Sequence, residues 1–403
     1  NATKIRVAAG VTKTADITFN GYQQGVQFTP IVSAYLTDLA KNGRSAAGVS
    51  GPTVFTWNQS QGFNVLPPEL VANNSSMTRN GQWITANVDF DGNGISQAAL
   101  RSSNGAIVSM GDIKNRDTCG GSSEWGASSS YGWAVDDTGS KAVGTAYIDR
   151  NRDGSCESPY LGEIVPFIWD AKRGMRELDT STLPVAELPW IRAHAISGNG
   201  DVVLGTSNFQ YAYAWVKEGK AINLTERYGA EPAYAVSFNG RRVALSLFDT
   251  TTYQGKGVAL WDYAGGLTRI GSLKWCKDVP YVSWFAGDLC ESMSSEEIEA
   301  QVGMPPLEVF DMSDDGSILI GRSGSFFTGF VGALWIERIG WMTWDDFFRK
   351  QGVVEASNIP FSNPISISGT GTEVVGGMVG ASFSWLVNMS QVFVCERGNS
   401  IQT

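Results

Sequence analysis

The chain has 403 residues, of which 42% are hydrophobic and 17% charged, and it carries a formal net charge of −10. That acidity, with no Lys/Arg run longer than a pair, speaks against nucleic acid and anionic membrane surfaces, both of which require basic patches. No apolar stretch approaches the roughly 18 residues of a membrane span, and 47 glycines suit a turn-rich all-β protein.

In chain order, residues 15–32 come before the first of a set of similar units. Each unit has a short apolar run, an Asx-Gly or Thr-Gly turn, a second apolar run, a third run carrying a large apolar residue, and a further turn. The first unit turns at Asn42-Gly43 and carries Trp57, then Gly62; the second turns at Asn80-Gly81 and carries Leu100, then Gly105. Thr138-Gly139, Trp169 and Gly174 mark the third, and Asn199-Gly200, Trp215 and Gly219 the fourth. Asn239-Gly240, Trp261 and Gly266 follow, then Asp315-Gly316, Trp335 and Gly340, and last Thr370-Gly371, Trp385 and Ser390.

Glycine after Asn or Asp supplies the positive φ that a tight hairpin needs, so each pair of runs reads as an antiparallel hairpin. Four strands per unit and seven units predict a seven-bladed β-propeller with four-stranded antiparallel blades, one domain over residues 1–403. The uneven turn spacing requires loop insertions, one between Gly139 and Trp169 and one over about 274–307. A strand from within 15–32 is expected to complete the last blade and remove the free edges. The repeated Trp residues are expected to be blade-to-blade core.

Two acidic loops, Asp89-x-Asp91-x-Asn93-Gly94 and Asp149-x-Asn151-x-Asp153-Gly154, place oxygen donors at alternate positions of a tight turn. That pattern suits structural Ca²⁺, which takes oxygen ligands at about 2.3–2.6 Å. The same residues also make ordinary solvated hairpin tips. No motif for an organic cofactor is found. Of five cysteines, Cys119 with Cys156 and Cys276 with Cys290 are expected to form loop-stapling disulfides, leaving Cys395 free. Disulfides belong to an oxidising compartment, and the chain starts at Asn1 without Met or an apolar leader, as a processed secreted form would.

The unit pattern, clearest in Ala195-Ile-Ser-Gly-Asn-Gly-Asp-Val-Val-Leu-Gly205 and Met312-Ser-Asp-Asp-Gly-Ser-Ile-Leu-Ile-Gly321, resembles the bacterial extracellular HAF-type repeat proteins. Phe167–Leu178 looks like the second half of such a unit, and Trp344–Val353 reads as a short helix before the last one. The resemblance implies a secreted, cell-surface or periplasmic bacterial repeat fold, and it brings no catalytic residues to transfer.

Aligning the units on their turn glycines yields candidate site residues. Eight positions before the glycine stand Tyr35, Asn73, Tyr131, Arg192, Pro232, Glu308 and Asn363. Six positions before it stand Thr37, Ser75, Trp133, His194, Tyr234, Phe310 and Ile365. Strand starts of all blades converge on one end of a propeller's axis, where pockets favour such mouths. Tyr35, Asn73, Tyr131, Arg192, His194, Tyr234, Glu308 and Asn363 form the candidate ligand site; the bland alternative is that they are ordinary strand-end residues. Two functions fit. One is a monomeric, calcium-stabilised propeller that binds an extracellular glycan or surface protein. The other is a polysaccharide lyase on a uronic-acid polymer, with Arg192 neutralising the sugar carboxylate and His194, Tyr131 or Tyr234 taking the proton. A glycosidase would need a second carboxylate beside Glu308, and the sequence indicates none.

Overall fold

The computed structural model describes residues 27–389 apart from 33–34, 51–52, 59, 67–69, 72–75, 91, 93–95, 114–120, 124–125, 129, 149–163, 185–189, 208–209, 250, 253, 281, 284–286, 326–328, 351–362 and 378–382. Asn73, Asp91, Asn93, Asp149, Asn151, Asp153, Cys119, Cys156 and Cys395 therefore lie outside the described residues.

Each turn glycine of the repeat sits at positive φ, from Gly316 at 66° to Gly371 at 77°. Each also donates its N–H to the carbonyl three residues earlier, as Gly200 does to Ser197 at 2.8 Å. The hairpins so nucleated form seven antiparallel blades. Blade 1 runs through Tyr35–Leu39, Ser45–Ser50, Thr53–Asn58 and Gly62–Val65. Blade 2 has Leu70–Val71, Trp83–Val88, Gln97–Ser102 and Ile107–Ser109. Blade 3 has Ser130–Val135, Lys141–Tyr147, Ile164–Asp170 and Gly174–Glu177. Blade 4 has Ile191–Ile196, Val202–Ser207, Tyr211–Val216 and Ile222–Asn223. Blade 6 has Leu307–Met312, Ile318–Ser325, Gly329–Ile336 and Gly340–Thr343.

Blade 5 corrects the expectation of four strands throughout. It has three, Val243–Asp249, Gln254–Asp262 and Gly266–Gly271. Its innermost segment touches the sheet only through isolated bridges, Ala230 to Leu247 and Val236 to Val243. Pro232 between them has no N–H to give to a ladder. Blade 7, Pro364–Ile367, Glu373–Gly377 and Phe383–Asn388, is completed by Gln27–Val32, which pairs antiparallel with Phe383–Asn388. The N-terminal strand thus closes the ring as expected and covers what would be a free edge.

The anchor Trp side chains are buried, from Trp215 and Trp385 at 0% exposed to Trp335 at 6%. Their equivalence is less complete than the sequence spacing implies. In five blades the Trp pairs with the residue three past the turn glycine, as Val203 does with Trp215 and Leu319 with Trp335. In blade 7 that partner, Val374, faces Val387, and Trp385 sits two residues earlier, opposite Gly376. In blade 2 the equivalent position is Arg101, paired with Ile84, so Leu100 lies on the other face of its strand. Trp385 instead joins Trp344, Phe347 and Phe348 of the short helix Trp344–Lys350 in one core cluster.

A closed belt of backbone hydrogen bonds links the turns. Asn42 donates to Arg79, Arg79 to Asp137, Asp137 to Gly198, Asn199 to Phe238, Phe238 to Asp314, Asp314 to Gly369, and Gly369 to Lys41. Glycine at 198 and 369 is a matter of space: an added Cβ would lie 2.4 Å from the Phe238 ring or 2.5 Å from the Asp314 carboxylate. The insertion before blade 6 carries the expected Cys276–Cys290 disulfide, with Cα atoms 5.2 Å apart. It continues into the helix Ser295–Val302, whose start is fixed by a reciprocal Ser294–Glu297 capping box. Trp275, Val279 and Ile298 pack this insertion onto the core shared with blade 6.

Candidate functional site

The innermost strands of five blades each carry a β-bulge at the same repeat position. The ladder skips Thr37, Trp133, His194, Phe310 and Ile365, each six residues before its turn glycine. An extra residue in one strand has no ladder partner and re-aims its side chain. All five, with Tyr234 of blade 5, line one cavity of about 220 Å³ on the axis, the throat. Of these six, only His194 and Tyr234 belong to the candidate site read from the sequence; Ser75, the seventh residue at this position, lies outside the described residues.

The position after the bulge supplies Asp38, Asp311 and Ser366, also in the throat wall. Ser366 Oγ is 2.8 Å from both Asp38 Oδ1 and Asp311 Oδ2. A hydroxyl has one hydrogen, so the second contact is favourable only when a carboxyl carries a proton. Asp38 meets that condition as pH falls: burial, then the nearby Asp311 charge, push its pKa up to about 6, against opposing contributions from Lys41, the Met77 N–H and Ser366. Lys41 Nζ reaches Asp311 at 2.8 Å and the Ile367 carbonyl at 3.0 Å, tying blade 1 to blades 6 and 7. At the belt end Arg79 joins Asp137 at 2.7 Å and Asp314, and its guanidinium lies 5.1 Å from the Phe238 ring centre. One side chain from blade 2 thus spans to blades 3 and 6.

His194 packs against Tyr234 with ring centres 4.6 Å apart and the ring planes tilted by 44°. Its Nε2 lies 2.8 Å from the Ala233 carbonyl, which can only accept, so Nε2 carries the hydrogen and Nδ1 is the acceptor. Nδ1 is buried and has no hydrogen-bond partner among the described residues. Burial, with a smaller contribution from the Arg192 charge, lowers the imidazole pKa to about 4 against the opposing Ala233 bond.

At the other end the throat opens into a cavity of about 580 Å³, the mouth, and Thr37, Tyr234, Phe310 and Ile365 line both. Tyr35, Glu231, Glu308, Arg322 and Asn363 complete its wall. Arg322 Nε donates to Glu308 at 2.8 Å, Nη1 to Asn363 at 3.3 Å, and the guanidinium packs 4.2 Å from the Phe330 ring centre. Burial and then Glu308 raise the Glu231 pKa; the same two causes raise that of Tyr234.

Of the residues singled out from the sequence, the structure brings Tyr35, Glu308 and Asn363 together at the mouth, with His194 and Tyr234 behind. Tyr131 and Arg192 line neither cavity. Tyr131 is 5% exposed and packs with Tyr147 and Ile164. Glu308 does have a neighbouring carboxylate, Glu231, nine residues before its own turn glycine, which the eight-residue offset passed over. Arg322 was missed for a related reason. A plain hairpin about Asp315-Gly316 sets Met312 against Leu319 and would place Ser323 opposite Glu308; the bulge at Phe310 shifts the register and brings Arg322 there instead. Asp89 accepts from the Gly92 N–H at 2.9 Å, the geometry of a hairpin tip. No group of three or more potential metal ligands occurs among the described residues.

No protein-family model matches the chain, and no curated protein matches it in sequence. Among solved structures it is similar to an oligogalacturonate lyase in complex with manganese, at 11% identity and TM-score 0.56, covering 94% of this chain and 98% of that one. It is also similar to an oligogalacturonate lyase from Vibrio parahaemolyticus, at 10% identity and TM-score 0.54, again covering 94% and 98%. At such identities the likeness concerns the fold. Among the described residues, no helix is long and apolar enough to cross a membrane.

Proposed function

We propose that this chain is an extracytoplasmic β-propeller that binds a glycan at the mouth of its channel. The observation that carries this reading is the mouth cavity of about 580 Å³, where Tyr35, Tyr234 and Phe310 share a wall with the Thr37 hydroxyl, Asn363 and the Glu308–Arg322 pair. Sugar rings present apolar faces edged by hydroxyls, and a pocket of aromatic rings with a few fixed polar groups complements both. The throat behind is smaller, about 220 Å³, so the mouth is the roomier compartment for a sugar ring. The Cys276–Cys290 disulfide supports an oxidising compartment. The HAF-type likeness and a Ca²⁺ role for the two acidic loops belong to the same proposal.

The lyase reading draws on the similar solved structures, which are oligogalacturonate lyases. His194 and Tyr234 in contact could supply a base. The cation is the weaker part: Arg192 lines neither cavity, and Arg322, which does line the mouth, is engaged by Glu308. Binding is the better supported function.

Calorimetric titration with a panel of neutral, acidic and amino oligosaccharides tests it. Tyr234→Ala should weaken the best ligand by about tenfold or more, as loss of a stacked ring does. Absence of binding to every oligosaccharide would remove the proposal, and new ultraviolet absorbance with oligogalacturonate would install the lyase reading in its place.

A further inference from the structure

We infer that the ligand of this mouth is an amine-bearing glycan, one whose sugars carry free ammonium groups. This rests on the glycan-binding reading and names the substrate class of that site. At the mouth, Glu231 and Glu308 stand against the single cation Arg322. In the throat, Asp38, Asp137, Asp311 and Asp314 stand against Lys41 and Arg79. Among the described residues, carboxylates therefore outnumber cations in both compartments, and Arg192, whose charge acts on His194, lines neither. A cleft lined by one sign of charge with low-dielectric walls focuses its field and concentrates ions of the other sign. Uronic acids would be repelled.

A second, independent observation points the same way. His194 Nδ1 is a buried acceptor with no donor among the described residues, because the Ala233 carbonyl fixes the hydrogen on Nε2. A buried acceptor left unpaired is costly and calls for a donor. The Glu231 carboxyl, half-buried in the mouth, is a further acceptor, and no hydrogen bond or ion pair engages it among the described residues. An ammonium group is three donors and a positive charge, which matches the Glu231 carboxyl at the mouth, with the unpaired His194 acceptor in the throat behind it. The exposed ring of Tyr234 adds a face on which a cation is held, whereas Phe310 already carries the Arg322 guanidinium 5.3 Å from its ring centre.

The test compares glucosamine, N-acetylglucosamine and galacturonate tetramers by calorimetry, just below neutral pH and at low salt. The glucosamine tetramer should bind about tenfold tighter than its acetylated counterpart, since a charge-assisted hydrogen bond is about twice as strong as a neutral one. That margin should shrink as salt rises. Glu231→Gln should remove most of it, weakening the glucosamine tetramer several-fold more than the acetylated one. Glu308→Gln, at a half-exposed side chain, serves as the second variant should Glu231→Gln fail to fold. Equal affinity for glucosamine and N-acetylglucosamine tetramers overturns the inference and leaves glycan binding standing. Tightest binding of galacturonate does the same. No binding of any tetramer overturns both.

Discussion

Asp38 and His194 face the same throat and titrate in opposite senses over nearly the same pH window, so removing either should expose the other. The folded-state pKa of Asp38 is raised from 3.8 to about 6. The folded chain then binds a proton more readily than the unfolded chain, and the group's contribution is present at low pH and lost as pH rises from about 4 through 6. His194 is lowered from 6.5 to about 4. Its folded state binds the proton less readily, so its contribution is lost as pH falls through the same range. At about 1.4 kcal/mol per pKa unit each group is worth up to about 3 kcal/mol, and water in the channel reduces that to about 1–3 kcal/mol. In the native chain the two slopes largely cancel. Urea unfolding of the native chain, Asp38→Asn and His194→Gln at a series of pH values from about 4 to 7 isolates them, because the remaining titrating groups are common to all three. Relative to the native chain, Asp38→Asn should gain stability as pH rises, and His194→Gln should lose it. Superimposable pH profiles for the three proteins, or slopes of reversed sign, would refute the reasoning.

Trp215→Ala should cost about 3–5 kcal/mol in urea unfolding, as expected for a fully buried aromatic, and near-native stability would deny the Trp its place between blades. Gly369→Ala should lower the melting temperature, because its Cβ would press on the Asp314 carboxylate in the belt; an unchanged melt would show that the belt yields freely. Non-reducing peptide mapping should recover Cys276 linked to Cys290 and Cys119 linked to Cys156, with Cys395 as the one titratable thiol; any other pairing corrects the sequence reading. Chelator should lower the melting temperature if the acidic loops hold Ca²⁺, since an ion bound only to the native state stabilises it by mass action. An unchanged melt in chelator removes calcium.

The sequence by itself determined the propeller. Asn-Gly and Asp-Gly turns force positive φ locally, and their recurrence ahead of a large apolar residue reports the repeat without any tertiary knowledge. The repeat offsets also pointed to His194 and Tyr234, which line the throat, but not to Tyr131 and Arg192, which line neither cavity. What the tertiary structure decided lies where the repeat is broken or where blades meet. A bulge in a strand is not legible from its composition, yet the one at Phe310 sets Arg322 against Glu308. Pro232 unpairs the inner segment of blade 5, and Glu231 beside it lines the mouth. Asp38, Ser366 and Asp311 stand far apart in the chain and become one hydrogen-bonded group only when the ring closes. Local turn chemistry depends on adjacent residues and is written in order; the charge and protonation of the channel depend on which blades become neighbours, and only closure of the ring settles that.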